Sequence, residues 1–242
     1  MIISDPCNGL IHFARAAQMQ KRLAGLIADR LALSIAQNGK ATMALSGGST
    51  PRALYTRLSD LPLAWEKVTV TLVDERFVPT DDEASNEKLV REILLQNEAA
   101  TAHFISLRGD NETLAGAAKA ANAALARLSH PFDVVVLGMG EDGHTASWFA
   151  GAEGLAMALD EKTPARCVPI TARKSTITGA RTQRLTLTRS TLDKARLCLL
   201  VLQGKDKAKA YDQALQAGPI EDMPIRAILR TPQRAFWPCW TP

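Results

Sequence analysis

Asp142 and His144 stand two residues apart in the loop Gly138-Met139-Gly140-Glu141-Asp142-Gly143-His144, directly after the apolar run Asp133 to Leu137. A carboxylate held against one imidazole nitrogen leaves the other free to take a proton from water, the arrangement a general base needs. His12, His103 and His130 lack such a setting and read as surface or structural residues. A second group of residues suits an anion. Gly47-Gly48-Ser49-Thr50 follows the short apolar run Ala41 to Ser46 and leads into Pro51, so its backbone N–H groups lie at a helix start, where they cradle a phosphate. Arg76 and Lys207 follow two further apolar runs, Val68 to Val73 and Leu197 to Leu202. Charge-assisted hydrogen bonds from such cations favour the same anion. The two groups together point to a small phosphorylated substrate beside a histidine base.

Gly138 to Gly143 also spells GxGxxG after a strand, the pattern of a dinucleotide-binding turn. Two carboxylates, Glu141 and Asp142, then stand where a pyrophosphate has to approach. The acidic residues about twenty positions on, Asp160 and Glu161, follow Leu155 to Leu159, which reads as helix rather than strand. Both features weigh against a dinucleotide. The loop at Gly47 likewise lacks the Walker lysine.

These loops need a scaffold, and the sequence supplies alternating strand and helix patterns. His12 to Gln37 has apolar residues at helical spacing and stops at Asn38-Gly39. Ala41 to Ser46 reads as a strand, and Thr50 with Pro51 reads as cap and first turn of the helix after it. Val68 to Val73 is β-branched, Ser85 to Leu95 helical, Phe104 to Leu107 a short strand, and Glu112 to Leu128 a helix by its alanine content. Asp133 to Leu137 and Leu197 to Leu202 are unbroken apolar runs, which suit parallel strands covered on both faces. Arg184 to Thr188 alternates like a half-exposed strand, and Lys205 to Gln216 reads as a helix. The expected fold is α/β: a doubly wound, mostly parallel, Rossmann-like sheet with helices on both faces. Ligands of such sheets bind outside the carboxyl ends of the strands, where the candidate residues fall.

Composition bounds the rest. The chain has 242 residues, 46% of them hydrophobic and 22% charged, with a formal net charge of +4. This is globular composition with enough length for one large core, and no Pro/Gly/Ser-rich linker divides it, so a single domain over 1–242 is expected. No apolar run reaches the roughly 18 residues of a membrane span. Met1 to Pro6 lacks a basic n-region followed by an apolar h-region, so no signal peptide is expected. Cys7, Cys167, Cys198 and Cys239 form no CxxC pair and no group with histidines, which argues against a metal site or disulfide framework and for a reducing cytoplasm. Basic residues are scattered apart from Lys205, Lys207 and Lys209, and aromatics are only 5%, so nucleic acid is not an expected partner. Oligomeric state is left open, and a monomer is compatible with everything above.

Six segments resemble one family in order along the chain. They are LSGGSTP at Leu45 to Pro51, VDERFVP at Val73 to Pro79, SNEKLVREILL at Ser85 to Leu95, GMGEDGHTAS at Gly138 to Ser147, RLTLT at Arg184 to Thr188 and GKDKA at Gly204 to Ala208. As a set they resemble 6-phosphogluconolactonase, of the branch related to glucosamine-6-phosphate deaminase. The resemblance implies hydrolysis of 6-phospho-D-glucono-1,5-lactone to 6-phosphogluconate, in the oxidative pentose phosphate pathway, with no cofactor and no metal. It implies that His144 activates water, that Asp142 orients it, that Gly47, Gly48, Ser49 and Thr50 line the sugar-phosphate pocket, and that Arg76 and Lys207 bind phosphate. The related deaminase has an asparagine-glutamate pair after the histidine, where this chain has Trp148-Phe149. A deaminase-like isomerase and a non-catalytic sugar-phosphate-binding module are the alternatives. The chain departs from the family at Trp148 and Ala150, in the proline-free stretch Lys174 to Gln183, and most in its tail Arg234 to Pro242, where a short helix is usual.

Overall fold

The computed structural model describes residues 9–128, 131–231 and 235–242, and Cys7, His130 and Arg234 lie outside them. Helix α1 (Ala16–Asn38) buries Met19, Leu23, Ile27 and Leu31, one residue every four, and ends at Gly39 in the left-handed conformation that glycine adopts without strain. After it, β2 (Ala41–Leu45), β3 (Val68–Leu72), β5 (His103–Phe104), β6 (Val134–Leu137), β9 (Leu197–Gln203) and β10 (Phe236–Thr241) join β1 (Ile11–His12) in a sheet ordered β1-β10-β9-β6-β2-β3-β5. Every pair in it is parallel. All residues of β2 and β6 are buried, which requires both faces of the sheet to be covered. The remaining helices are α2 (Arg52–Ser59), α3 (Asn86–Ile93), α4 (Leu114–Leu125), α5 (Leu155–Leu159), α6 (Arg189–Leu192), α7 (Lys205–Leu215) and α8 (Ile225–Leu229).

A small second sheet sits beside the first. It consists of β4 (Asp74–Arg76), β8 (Gln183–Leu187) and β7 (Cys167–Thr171), ordered β4-β8-β7 and antiparallel throughout. Its residues share one hydrophobic cluster with the large sheet, which runs from Ile11 to Cys239. The amino end of β6 is held by Asp133, which is buried and accepts from Ser34 Oγ (2.5 Å) and Thr42 N (2.9 Å) beside Arg30 and Arg196.

Three sequence expectations need correction. His12 belongs to β1 rather than to the first helix, because Ile11 and His12 pair with Cys239 and Trp240 of the tail. Thr50 does not cap α2: Pro51 is the cap, no side chain caps the helix, and a turn from Ser49 C=O to Arg52 N–H delays the start and leaves the Thr50 side chain to the adjoining cleft. The stretch Arg184 to Thr188 is not half-exposed; every one of its residues is buried. Arg184 Nε–H donates to Arg181 C=O (2.9 Å), Thr186 Oγ1 accepts from Ser147 N–H (3.3 Å) and Thr188 Oγ1 donates to Ala165 C=O (2.8 Å), so the polar positions of the alternation find partners inside.

Candidate active site

The order of the large sheet reverses between β2 and β6: the chain proceeds from β2 to β3 on one side and from β6 to β9 on the other. At the carboxyl ends of those strands lies a cleft of about 270 Å³. Ligands of open α/β sheets bind at this switch point. Gly47, Gly48, Ser49, Thr50, Arg76, His144 and Lys207 all line it. Asp142 lies behind the imidazole rather than on the wall, with its Oδ1 2.6 Å from His144 Nδ1.

A carboxylate only accepts, so Nδ1 carries the proton of the neutral imidazole and Nε2 is left as the base. Asp142 Oδ1 also accepts from the His144 backbone N–H (3.2 Å). Burial alone would raise the Asp142 carboxyl, but the His144 ring hydrogen bond, its charge and the backbone donors outweigh that and hold it below its ordinary value. The loop is drawn closed by Gly140 N–H to His144 C=O (2.8 Å) and Gly143 N–H to Gly140 C=O (3.1 Å). A Cβ on Gly140 would overlap both His144 Nδ1 and Asp142 Oδ1, and Gly143 sits at φ 78°. The middle glycine of GxGxxG, Gly140, therefore makes room for the Asp–His pair, while a Cβ on Gly143 would meet Met223. No helix opens after this loop to receive a pyrophosphate; the chain passes through an isolated bridge between Thr145 and Trp148.

On the other wall the glycine loop is fixed from below. The buried Tyr55 hydroxyl donates to Ser46 C=O (2.7 Å), and burial pushes that phenol well above its ordinary pKa. Gly47 packs so tightly on Asn86 that a Cβ there would overlap its amide, while Asn86 Nδ2 donates to Asp74 C=O (2.9 Å). The loop is thus tied to the helix α3 that follows β4. Glu75 completes the tie: its carboxylate accepts from the N–H groups of Arg76, Asn86 and Glu87 and from Ser85 Oγ at 2.7 to 3.0 Å. Burial pushes Glu75 up to about 7 against those four donors.

The structure adds two charged residues to the cleft that sequence reasoning missed, Asp74 and Arg184. Asp74 is buried and accepts from Ser147 Oγ (2.6 Å). Arg184 lies directly opposite Arg76 in the β4–β8 pair. Its guanidinium donates to Arg181 C=O (2.9 Å) and Thr178 C=O (3.1 Å) and lies 5.3 Å over the Phe149 ring, which itself lies 4.4 Å from the His144 ring. Burial lowers the pKa of Arg184, Asp74 offsets part of the effect and Arg76 adds to it. Two guanidinium groups side by side are unfavourable until an anion joins them. Their registration depends on antiparallel pairing between distant segments, which has no local sequence signal. Among the described residues no group of three or more His, Cys, Asp and Glu side chains could hold a metal ion. Cys167, Cys198 and Cys239 are free and buried, and burial raises each thiol's pKa.

A mostly parallel α/β sheet with an acid-paired histidine facing loop N–H groups and cations across a cleft at its switch point has the form of an enzyme's active-site cleft. The chain belongs to the family of glucosamine-6-phosphate isomerases and 6-phosphogluconolactonases, which matches residues 14–237. It is 44% identical over 228 residues to the 6-phosphogluconolactonase of Rhizobium meliloti (strain 1021), covering 93% of this chain and 96% of the relative. The 6-phosphogluconolactonase of Pseudomonas aeruginosa is 42% identical over 229 residues, covering 95% and 94%. Among solved structures, a 6-phosphogluconolactonase from Shewanella baltica OS155 superposes with a TM-score of 0.90 at 39% identity over 100% of both chains. A monomeric glucosamine-6-phosphate deaminase has the same fold, with a TM-score of 0.78 at 19% identity over 96% of both chains.

Proposed function

We propose that this cleft hydrolyses 6-phospho-D-glucono-1,5-lactone to 6-phosphogluconate and that His144 activates the water. The observation that carries the reading is the Asp142–His144 pair, at 2.6 Å, opening into the same cleft as Gly47–Thr50, Arg76 and Lys207. A lactone carbonyl is already electrophilic. His144 Nε2 takes a proton from water as its oxygen bonds to C1, and the imidazolium then returns that proton to the ring oxygen as the C1–O bond breaks. One water is added across the ester, and the product carboxylic acid ionises. The balance needs no redox partner. Asp142 keeps the imidazole in the required tautomer and stabilises the imidazolium while it lasts.

The phosphate lies at the other end of the cleft, against the loop N–H groups and the cations Arg76, Lys207 and Arg184. Anchoring there orients C1 toward Nε2 by interactions remote from the reacting bond. Trp148 and Phe149 support a lactonase over a deaminase, because Trp148 is buried with its N–H bonded to Leu187 C=O and Phe149 packs on the imidazole. Neither offers the carboxylate that a ring-opening deaminase places there. Among the described residues no helix is long and apolar enough to cross a membrane. The same reading has the enzyme act in the cytoplasm on a free metabolite and without nucleic acid, and it leaves the oligomeric state open. Purified protein assayed on both substrates tests it: lactone hydrolysis above the spontaneous rate is expected, and ammonia release from glucosamine 6-phosphate instead would overturn it.

A further inference from the structure

The tail, from residue 235 onward, forms β10 between β9 and β1 where a terminal helix was the family expectation. Pro238 is accommodated because it lies one step before the first β1 pair, Ile11 with Cys239, where its missing N–H breaks no bond to β1. In the β9–β10 pair Trp240 lies opposite Leu202 and Thr241 opposite Gln203, and both Leu202 and Gln203 line the cleft. The next residue, Gly204, starts α7 with φ 89° and ψ 159°, a conformation essentially confined to glycine, and no side chain caps the helix. Its backbone is tied to the tail at both groups. Gly204 N–H donates to Thr241 C=O (2.9 Å), and Trp240 Nε1–H donates to Gly204 C=O (2.8 Å). That carbonyl also accepts the opening helical bond from Ala208 N–H (3.3 Å). Trp240 is fixed in turn from β1, by Phe13 N–H to its carbonyl (2.9 Å) and by the His12 ring standing edge-on at 5.2 Å.

We propose that Trp240 is a positioning residue for Lys207. Lys207 sits in the first turn of α7, half-buried on the cleft wall, whereas Lys205 and Lys209 are exposed. Gly204 is the pivot of that turn, and glycine has the widest choice of backbone conformations. The indole N–H selects one of them and so fixes the direction from which Lys207 reaches the substrate. The inference rests on the reading that Lys207 meets the phosphate of the lactone. It gives the tail's tryptophan a role in substrate selection that does not require contact with substrate.

The test compares wild type with Trp240→Phe, Trp237→Phe and Lys207→Ala on 6-phosphogluconolactone and on unphosphorylated glucono-1,5-lactone. Phenylalanine keeps an aromatic ring at 240 and removes the donor together with part of the indole's bulk, so the Trp237→Phe control carries the same loss of bulk on the same strand. Trp237 is the control on the same strand, since its ring faces Arg22 (6.0 Å) instead of Gly204. Trp240→Phe is expected to raise KM for the phosphorylated lactone about fivefold, the usual effect of one hydrogen bond, with kcat within about twofold and KM for the unphosphorylated lactone unchanged. Trp237→Phe is expected to leave the ratio of the two KM values alone even where it lowers Tm. If Lys207→Ala lowers phosphate discrimination and Trp240→Phe does not, or if the two tryptophan variants behave alike, the positioning role is wrong and the phosphate reading stands. If Lys207→Ala leaves discrimination intact, the phosphate reading falls and the inference with it.

Discussion

Gly140 shows how a motif shaped for one ligand can serve another chemistry. The dinucleotide pattern uses its glycines to admit a pyrophosphate, whereas here the space over Gly140 is filled by the His144 imidazole and the Asp142 carboxylate. Gly140→Ala is therefore expected to keep the fold and lose about 10²-fold or more in kcat/KM, since a displaced base loses most of its general acid–base contribution; circular dichroism with lactonase kinetics checks both halves. At this scale much of the site was legible. Asp142 and His144, and Gly47 through Thr50, are contiguous groups whose chemistry can be read from adjacency, and Arg76 and Lys207 follow recognisable strands. Asp74 and Arg184 were not legible as site residues, because their place in the cleft depends on β4 meeting β8 from far along the chain. The hydroxyl of Thr50 was assigned a cap it does not make, since the turn at Ser49 moved the helix start by one residue.

Among the elements, the small antiparallel sheet does two jobs. It registers Arg76 against Arg184 and, through Glu75, holds the start of α3. The arginine pair predicts that inorganic phosphate raises Tm of the wild type and does so clearly less for Arg184→Gln, measured by thermal melting against added chloride at equal ionic strength. An equal rise in both proteins would remove Arg184 from the anion site. Glu75 accepts two donors on each oxygen. Glu75→Gln turns one acceptor into a donor that faces donors, and a loss of about 1–3 kcal/mol in unfolding free energy is expected from denaturant titration. The sheet was only partly visible in sequence. β7 carries Pro169, which breaks a strand pattern but is tolerated on the edge of the sheet, and β4 is only three residues long. The buried strands β2, β6 and β9 were plain because each is a mostly apolar run, broken only by Thr42 in β2 and by Gln203 at the end of β9.

For the whole molecule, the decisive feature is the reversal between β2 and β6, which gathers loops from four strands at one end of the sheet. Alternation of strand and helix patterns was enough to expect it, but the two strands beyond β9, β10 and β1, were not read. β1 is two residues long, and β10 contains Pro238 among aromatic residues, so both are strands by pairing rather than by propensity. Global stability should also carry a pH signature from Asp193, which burial raises from 3.8 to about 6 despite its ion pair with Arg189. The folded chain holds that proton to higher pH than the unfolded chain, so this group's contribution is complete below 3.8 and is lost as pH rises to about 6. Asp193→Asn should flatten the fall in unfolding free energy across that window relative to wild type, as read from denaturant titrations at successive pH values.

The central claim is that His144 is the base of a lactone hydrolase, and one comparison tests it most directly. Hydrolysis of 6-phosphogluconolactone is followed in an assay coupled to oxidation of the product, with spontaneous hydrolysis subtracted, for wild type and for His144→Ala at matched folded fraction. A loss of about 10²–10⁴ in kcat/KM is expected, the range general acid–base catalysis supplies. Equal rates for the two proteins would contradict the account.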